Sequence, residues 1–337
     1  MVSSKYNAPP DKSSWQYCEI QERQKWLNEL FIEYPSLAEI LGHFDEKLTD
    51  CERTGKATGM LIIGGSGAGK TTLMNRLKSM GEQRFSRHER DRKICPVISI
   101  EIPDPCTPIE FSFAILEALG DADPRGRKNK QATIKAAEMF LIQCEVRLIL
   151  IDNVQDIPAR RAARGVEQVS TRLRELIDKS NAVWVFLGTK EATKVINSDP
   201  QVVKRVVYRA DLEYFSIGTL AGARLFTRVL EKIDAQLPLA KPSCLVEPKN
   251  RSRIFLGSDG IFDRLIKLVD RGWYESFKDN REEMTLQDLE RAFRHVHGPC
   301  EPTRNPFSNE FSPRQLHLEG EPFEILKGAP LAHKATA

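Results

Sequence analysis

MLIIGGSGAGKTTLMNRL, residues 60–77, runs from four apolar residues into a glycine-rich turn and on into a helix-forming stretch. Its middle, GGSGAGKT at 64–71, satisfies G-x-x-x-x-G-K-[ST] at the place where that pattern has a mechanism, between a strand and a helix. Gly64, Gly67 and Gly69 let backbone N–H groups turn inward on phosphates. Gly65, Ser66 and Ala68 complete the loop, Thr72 follows it, and the helix N-terminus adds positive potential. In this reading Lys70 reaches the β and γ oxygens of ATP, and Thr71 offers a hydroxyl to Mg²⁺. A chance glycine-rich turn would not be expected to have both flanks correct.

A second apolar run, LILIDNVQD at 148–156, carries Asp152 at its end about eighty residues later. A buried parallel strand delivers a carboxylate in this way to hold Mg²⁺ through its waters; the plainer alternative is an Asp capping the next turn. The following residue is Asn153, where an ATP-hydrolysing relative usually carries Glu. A carboxamide can orient the attacking water but cannot take its proton, so slow hydrolysis is expected. Gln155 and Asp156 are the nearby substitutes.

Short apolar strands alternate with helices from residue 59: MLIIGG, PVISIEI at 96–102, RLILID and AVWVFLGT, four strands in all. Such alternation predicts a parallel sheet covered on both faces, hence an α/β core over 51–215. Before it, 1–50 reads as a helical extension. One helix within 19–33 ends at Pro35, and a second is capped by Ser36 with Glu39 three positions on. Residues 216–297 show only helical periodicity and read as a small helical lid domain, in which Thr285 and Asp288 form another capping pair. From Gly298 the chain is proline-rich with little periodicity, and 298–337 is expected to be a flexible tail.

The 337 residues include 50 Lys and Arg against 47 Asp and Glu. Any affinity for nucleic acid must therefore come from local clusters. Seven scattered cysteines without a C-x-x-C pair suggest neither a disulfide framework nor a zinc site. The N-terminus lacks an apolar signal core, and no run approaches the ~20 apolar residues that span a bilayer. A cytoplasmic protein with no membrane partner is expected.

Further candidates lie downstream. Thr189, after AVWVFLG, is placed either as a sensor beside a γ-phosphate or in a simple strand-to-loop turn. Arg205 and Arg209 occupy SDPQVVKRVVYRADLEYF, from which a guanidinium could act across a subunit interface; a solvated surface role is the alternative. Arg264 is a further candidate for such a charge, from the helical domain. RGRKNK at 125–130 (Arg125, Arg127, Lys128, Lys130) contains no acid, and ARRAAR brings Arg160, Arg161 and Arg164. Both read as contacts to a phosphate backbone by uncompensated charge. RFSRHERDRK at 84–93 mixes signs and reads as a solvated face.

The ordered set FIEYPSLAEIL, LIIGGSGAGKTTLMNRL, LILIDNVQDI, VWVFLGTKEA and DPQVVKRV resembles the TniB/TnsC family of transposition ATPases within the AAA+ class, over roughly 30–295. The resemblance implies a P-loop NTPase that uses ATP and Mg²⁺ and assembles on duplex DNA as a ring or helical filament. It further implies that the protein receives a target signal from a TniQ-like protein and recruits a DDE transposase. By motif match Lys70 and Thr71 become the Walker A ligands, Asp152 the Walker B acid, Thr189 a sensor and Arg205 the candidate finger. Asn153 is the departure, bearing on hydrolysis and not on binding. A small-molecule P-loop kinase and a STAND-like signalling ATPase are the competing classes: the first would need an acceptor-binding lid, the second an appended sensor or effector domain.

Overall fold

A computed structural model describes residues 11–85, 94–104, 106–127, 129–157 and 163–324, the side chains of Asn28 and of 163–167 excepted. In chain order its elements are α1 (Ile20–Asn28), α2 (Pro35–Thr54), β1 (Thr58–Gly64), α3 (Lys70–Phe85), β2 (Val97–Glu101), α4 (Pro108–Ala118) and α5 (Lys130–Gln143). Then come β3 (Leu148–Asp152), α6 (Ala163–Lys179), β4 (Val183–Gly188), α7 (Ala192–Asn197), α8 (Pro200–Val203) and β5 (Val206–Leu212). Four more helices follow: α9 (Leu220–Gln236), α10 (Arg251–Ser258), α11 (Phe262–Lys278) and α12 (Leu286–His297). The chain forms two compact units, one spanning Pro35–Glu213 and the other joining the residues up to Tyr34 with those from Tyr214 on.

The Pro35–Glu213 unit is built on a five-stranded sheet of order β2-β3-β4-β1-β5, with every pairing parallel. Its middle strands are predominantly apolar because both faces are covered. Leu148 to Ile151 and Val183 to Leu187 are wholly buried. Successive residues face opposite ways. Leu61, Ile149, Ile151, Trp184 and Phe186 share one core with Phe111, Ile115, Ala137, Leu173 and Val195 from α4 to α7. The alternate residues face α2 and α3, which pack on the same sheet. Each large side chain so buried contributes about 1.5–3 kcal/mol.

β5 is a fifth strand where four were expected. It lies at the sheet edge beside β1, and only Val206 and Leu212 at its ends are buried. VVYRADL therefore lacks the apolar run that marks the interior strands. Pro35 also acts differently from expectation. It is the first residue of α2, so Ser36 lies inside the helix, and α1 already ends at Asn28. Proline suits that first position because its missing N–H would have no helical partner there.

In the other unit the Thr285–Asp288 capping box forms as expected, with Asp288 accepting from the Thr285 N–H at 2.8 Å. Arg23, on α1, is buried and donates to the Pro238 carbonyl at 3.2 Å and to Glu282 at 2.9 and 3.1 Å. These contacts fasten α1 to the helical unit. The proline-rich segment expected to be a loose tail is seated on the same helices up to Glu324. Phe307, Phe311, Leu316 and Phe323 are buried, and Arg253 donates to the carbonyls of Pro306 and Ser308 at 2.9 and 2.7 Å. Few apolar residues suffice because each is an anchor in a pocket, a spacing that carries no helical or strand period.

Candidate functional site

The strand register brings the motif residues to one edge of the sheet. Ile63 on β1 pairs with Gly188 on β4, Ile151 on β3 with Phe186 on β4, and Glu101 on β2 with Asp152 on β3. The loop after β1, Asp152, Asn153 and Thr189 therefore all leave the carboxyl ends of parallel strands, where ligands bind in open α/β sheets.

At the β1 end the loop is made mainly of backbone. Gly67 and Gly69 have φ of +75° and +95°, a region closed to most side chains, and this permits the turn into α3. Lys70 begins that helix, and its ammonium donates to the carbonyls of Gly64 and Gly65 at 2.9 and 3.0 Å. Burial pushes the Lys70 pKa down, and the nearby charge of Asp152 partly offsets this. A cation held only by neutral carbonyls beside a helix N-terminus is a fit receptor for polyphosphate. Thr71 and Asp152 supply hard oxygen donors of the type Mg²⁺ takes along with water and phosphate oxygens.

At the β3 end the arrangement depends on side chains. Asn153 is in the left-handed region, φ 56° and ψ 39°, where Asn is tolerated better than most residues. Its N–H donates to Asp152 Oδ1 at 2.8 Å, its Nδ2 donates to Glu101 Oε1 at 3.1 Å, and its Oδ1 accepts from Gln155 Nε2 at 3.2 Å. Gln155 Oε1 in turn accepts from the Thr189 N–H at 3.0 Å. One chain of hydrogen bonds, Glu101–Asn153–Gln155–Thr189, thus crosses the ends of β2, β3 and β4. Asp156 is raised above its ordinary pKa by burial and by the carboxylates of Asp104, Glu101 and Asp152, so acidic groups converge here. Glu101 was missed in the sequence, although it terminates the apolar run VISIE just as Asp152 terminates LILID.

The other candidates are placed apart or already partnered. The Thr189 hydroxyl donates to Glu191 Oε2 at 2.6 Å. Arg205 forms a two-pronged pair with Asp178 at 2.5 and 2.7 Å. Its carbonyl accepts from the Gly59 N–H at 2.8 Å, which puts it at the amino end of β1. With ~3.3 Å of rise per strand residue, that is roughly 16 Å from Gly64. Arg205 therefore sits at the opposite edge of the sheet from its own phosphate loop. Arg209, on β5, donates to Asn197 Oδ1 at 2.8 Å. Arg264 belongs to the helical unit, where it pairs with Asp259 at 3.2 Å and lies 4.1 Å over the Phe323 ring.

The two arginines of the RGRKNK stretch are paired with acids. Arg125 pairs with Glu110 at 2.9 Å and Glu117 at 3.2 Å, and Arg127 with Asp121 at 2.6 Å. The acids lie upstream, on α4 and in the turn after it, so the stretch alone could not reveal them. Lys130 is exposed at the start of α5. Lys128, Arg160 and Arg161 lie outside the described residues, and Arg164 is placed on α6 by its backbone alone. Of the mixed-sign 84–93 stretch, Arg84 is paired with Asp45 at 2.8 Å and with Glu52, Phe85 ends α3, and residues 86–93 lie outside the described residues.

A parallel sheet with a phosphate loop after β1, an acid at the end of β3 and a helical second unit define a P-loop protein of the AAA+ class. A family model described as "Bacterial TniB protein" matches residues 23–213. The chain belongs to the TniB family. Among solved structures it is similar to Cdc6p of Pyrobaculum aerophilum (TM-score 0.59, 14% identity, 83% of this chain and 72% of that one). It is also similar to ORC1 of Aeropyrum pernix, solved in complex with DNA (TM-score 0.57, 15% identity, 83% and 70%), and to ORC2 of the same organism (0.56, 15%, 80% and 71%). These likenesses establish the fold alone. The search among curated proteins found no match.

Proposed function

We propose that this chain is an ATP-dependent DNA-binding regulator of transposition, which oligomerises on duplex DNA and links target selection to transposase recruitment. The observation that carries the ATPase part is the β1 end: a glycine-turned loop with Lys70 held by two neutral carbonyls, at the same sheet edge as Asp152. Membership of the TniB family supports the transposition part, with a TniQ-like protein and a DDE transposase as partners and the cytoplasm as the place of action. No described helix is long and apolar enough to cross a membrane.

In this reading residues 64–72 cradle the phosphates, Lys70 contacts the terminal oxygens, and Thr71 and Asp152 hold Mg²⁺, which supplies charge neutralisation at the phosphates. Asn153 cannot accept a proton, so turnover is slow. Arg205, on the far edge from its own loop, acts only on a neighbour's nucleotide. A head-to-tail contact of this kind closes into a ring or propagates as a helix. Its guanidinium has to leave Asp178 to do so. Arg264 contributes a second cation from the helical unit, and Arg125, Arg127, Lys128, Lys130, Arg160, Arg161 and Arg164 are the candidates for duplex backbone contacts.

The test is light scattering and DNA gel shift with Mg²⁺ and a non-hydrolysable ATP analogue. Assembly on unrelated duplexes only when nucleotide is present supports the reading, and a chain that stays monomeric with both ligands contradicts it. R205A should keep nucleotide binding while losing assembly-dependent hydrolysis.

A further inference from the structure

We propose that Glu101 is the carboxylate that takes the proton from the attacking water, in place of the acid absent at position 153. The inference rests on the ATPase reading above. It comes from the register at the sheet edge: Glu101 is the parallel-strand partner of Asp152, and its carboxylate is held by the side chain of the very residue where the acid is missing.

The distances make this exchange nearly isometric. Consecutive Cα atoms are ~3.8 Å apart, and neighbouring strands are ~4.8 Å apart. A carboxylate carried one strand over from Asp152 therefore starts about as close to it as one carried by the next residue. Position 153 itself is ill suited to Glu, since its left-handed backbone favours Asn. Asn153 holds the Glu101 carboxylate by donating Nδ2, and it is fixed in turn by Gln155, which also receives the Thr189 N–H. Gln155 is thereby committed at both ends of its amide. Glu101 is exposed at the end of β2 and open to solvent from which a water is drawn.

In the step this implies, the water oxygen bonds to the γ-phosphorus while the bond from that phosphorus to the β–γ bridging oxygen breaks. The electron pair leaves with ADP, and the water proton passes to Glu101 before release to solvent. The products are ADP and orthophosphate. The Asn153 hydrogen bond occupies Oε1 of Glu101 and leaves Oε2 to take the proton.

The experiment compares the unaltered chain with E101Q and D156N. Phosphate release is measured with Mg²⁺, ATP and duplex DNA, and binding with a fluorescent ATP analogue. Gln is isosteric and still accepts from Asn153, so E101Q should bind nucleotide within about twofold of the unaltered chain. It should lose hydrolysis by on the order of 10²-fold or more, the usual contribution of a general base. Hydrolysis within threefold of normal in E101Q overturns the proposal, as does loss of nucleotide binding together with rate, which would make Glu101 structural. A D156N variant that loses hydrolysis while E101Q retains it assigns the role to Asp156. Failure of the unaltered chain to bind ATP would sink the ATPase reading itself, an outcome distinct from binding with an indifferent Glu101.

Discussion

The end of β1 and the end of β3 meet the same edge of one sheet, yet they are made of different material. The first is backbone turned by glycine, with one lysine folded back onto two carbonyls. The second is a relay of side chains at the ends of β2 and β3, in which Asn153 is tied to Glu101 and Gln155, and Gln155 to the Thr189 backbone N–H after β4. A site of backbone groups fixes both sequence and spacing, because a side chain at Gly67 or Gly69 meets a forbidden φ. A site of side chains fixes only where groups end up, so a role can move from one strand to its neighbour. The first kind yields a motif and the second does not.

The sharpest way to break the contrast is at Lys70. K70A removes the one side chain on which the backbone site depends, and nucleotide affinity should fall on the order of 100-fold, about 3 kcal/mol, in a titration with a fluorescent analogue. The fold should survive, since only two hydrogen bonds to loop carbonyls are lost. An affinity unchanged in K70A would show that phosphate is bound elsewhere.

Next in size is Asp152, the residue common to both ends through its charge on Lys70 and its bond to the Asn153 N–H. D152A should lower Mg²⁺-dependent hydrolysis at least tenfold, with added chelator producing little further loss. A variant that responds to chelator as strongly as the unaltered chain would place the metal away from Asp152.

Gly188 tests the relay. A methyl there would come within 2.6 Å of Gln155 Oε1 and 2.8 Å of Ala192 Cβ. G188A should therefore displace Gln155 from the Thr189 amide and cost about 1–3 kcal/mol of stability by overpacking, read by denaturant unfolding. Nucleotide affinity should change little while the hydrolysis rate shifts. Equal losses in binding and rate would mean that the two ends are one rigid unit.

The same division explains what could be seen in the sequence. The P-loop, the strand carrying Asp152 and the α/β alternation were legible because glycine positions and apolar runs have periods. β5 was not, since it buries only its two end residues, and Val206 and Leu212 do not make a run. Glu101 was not, since nothing in VISIEIP indicates which strand will lie beside LILID. The buried segment 298–324 was missed because Phe307, Phe311, Leu316 and Phe323 anchor singly. The compensation of Arg125 was hidden because its partners lie 8 and 15 residues upstream.

That compensation gives the smallest predicted effect. Lys70 and Arg125 are both held within the chain, but by different partners: neutral carbonyls leave the lysine charge available to a phosphate, whereas Glu110 and Glu117 offset the arginine charge. A paired arginine releases few counterions from DNA, because its own carboxylates must be given up first. Each phosphate neutralised adds about 0.9 to the slope of log affinity against log salt. If the loop lies on the duplex, K130A should lower that slope by nearly this amount and R125A by clearly less, in gel-shift titrations across a range of salt on two unrelated duplexes. A larger change for R125A than for K130A would mean that DNA strips Arg125 from its acids. The distinction between a cation held by carbonyls and one held by carboxylates would then not govern which charges serve phosphate in this protein.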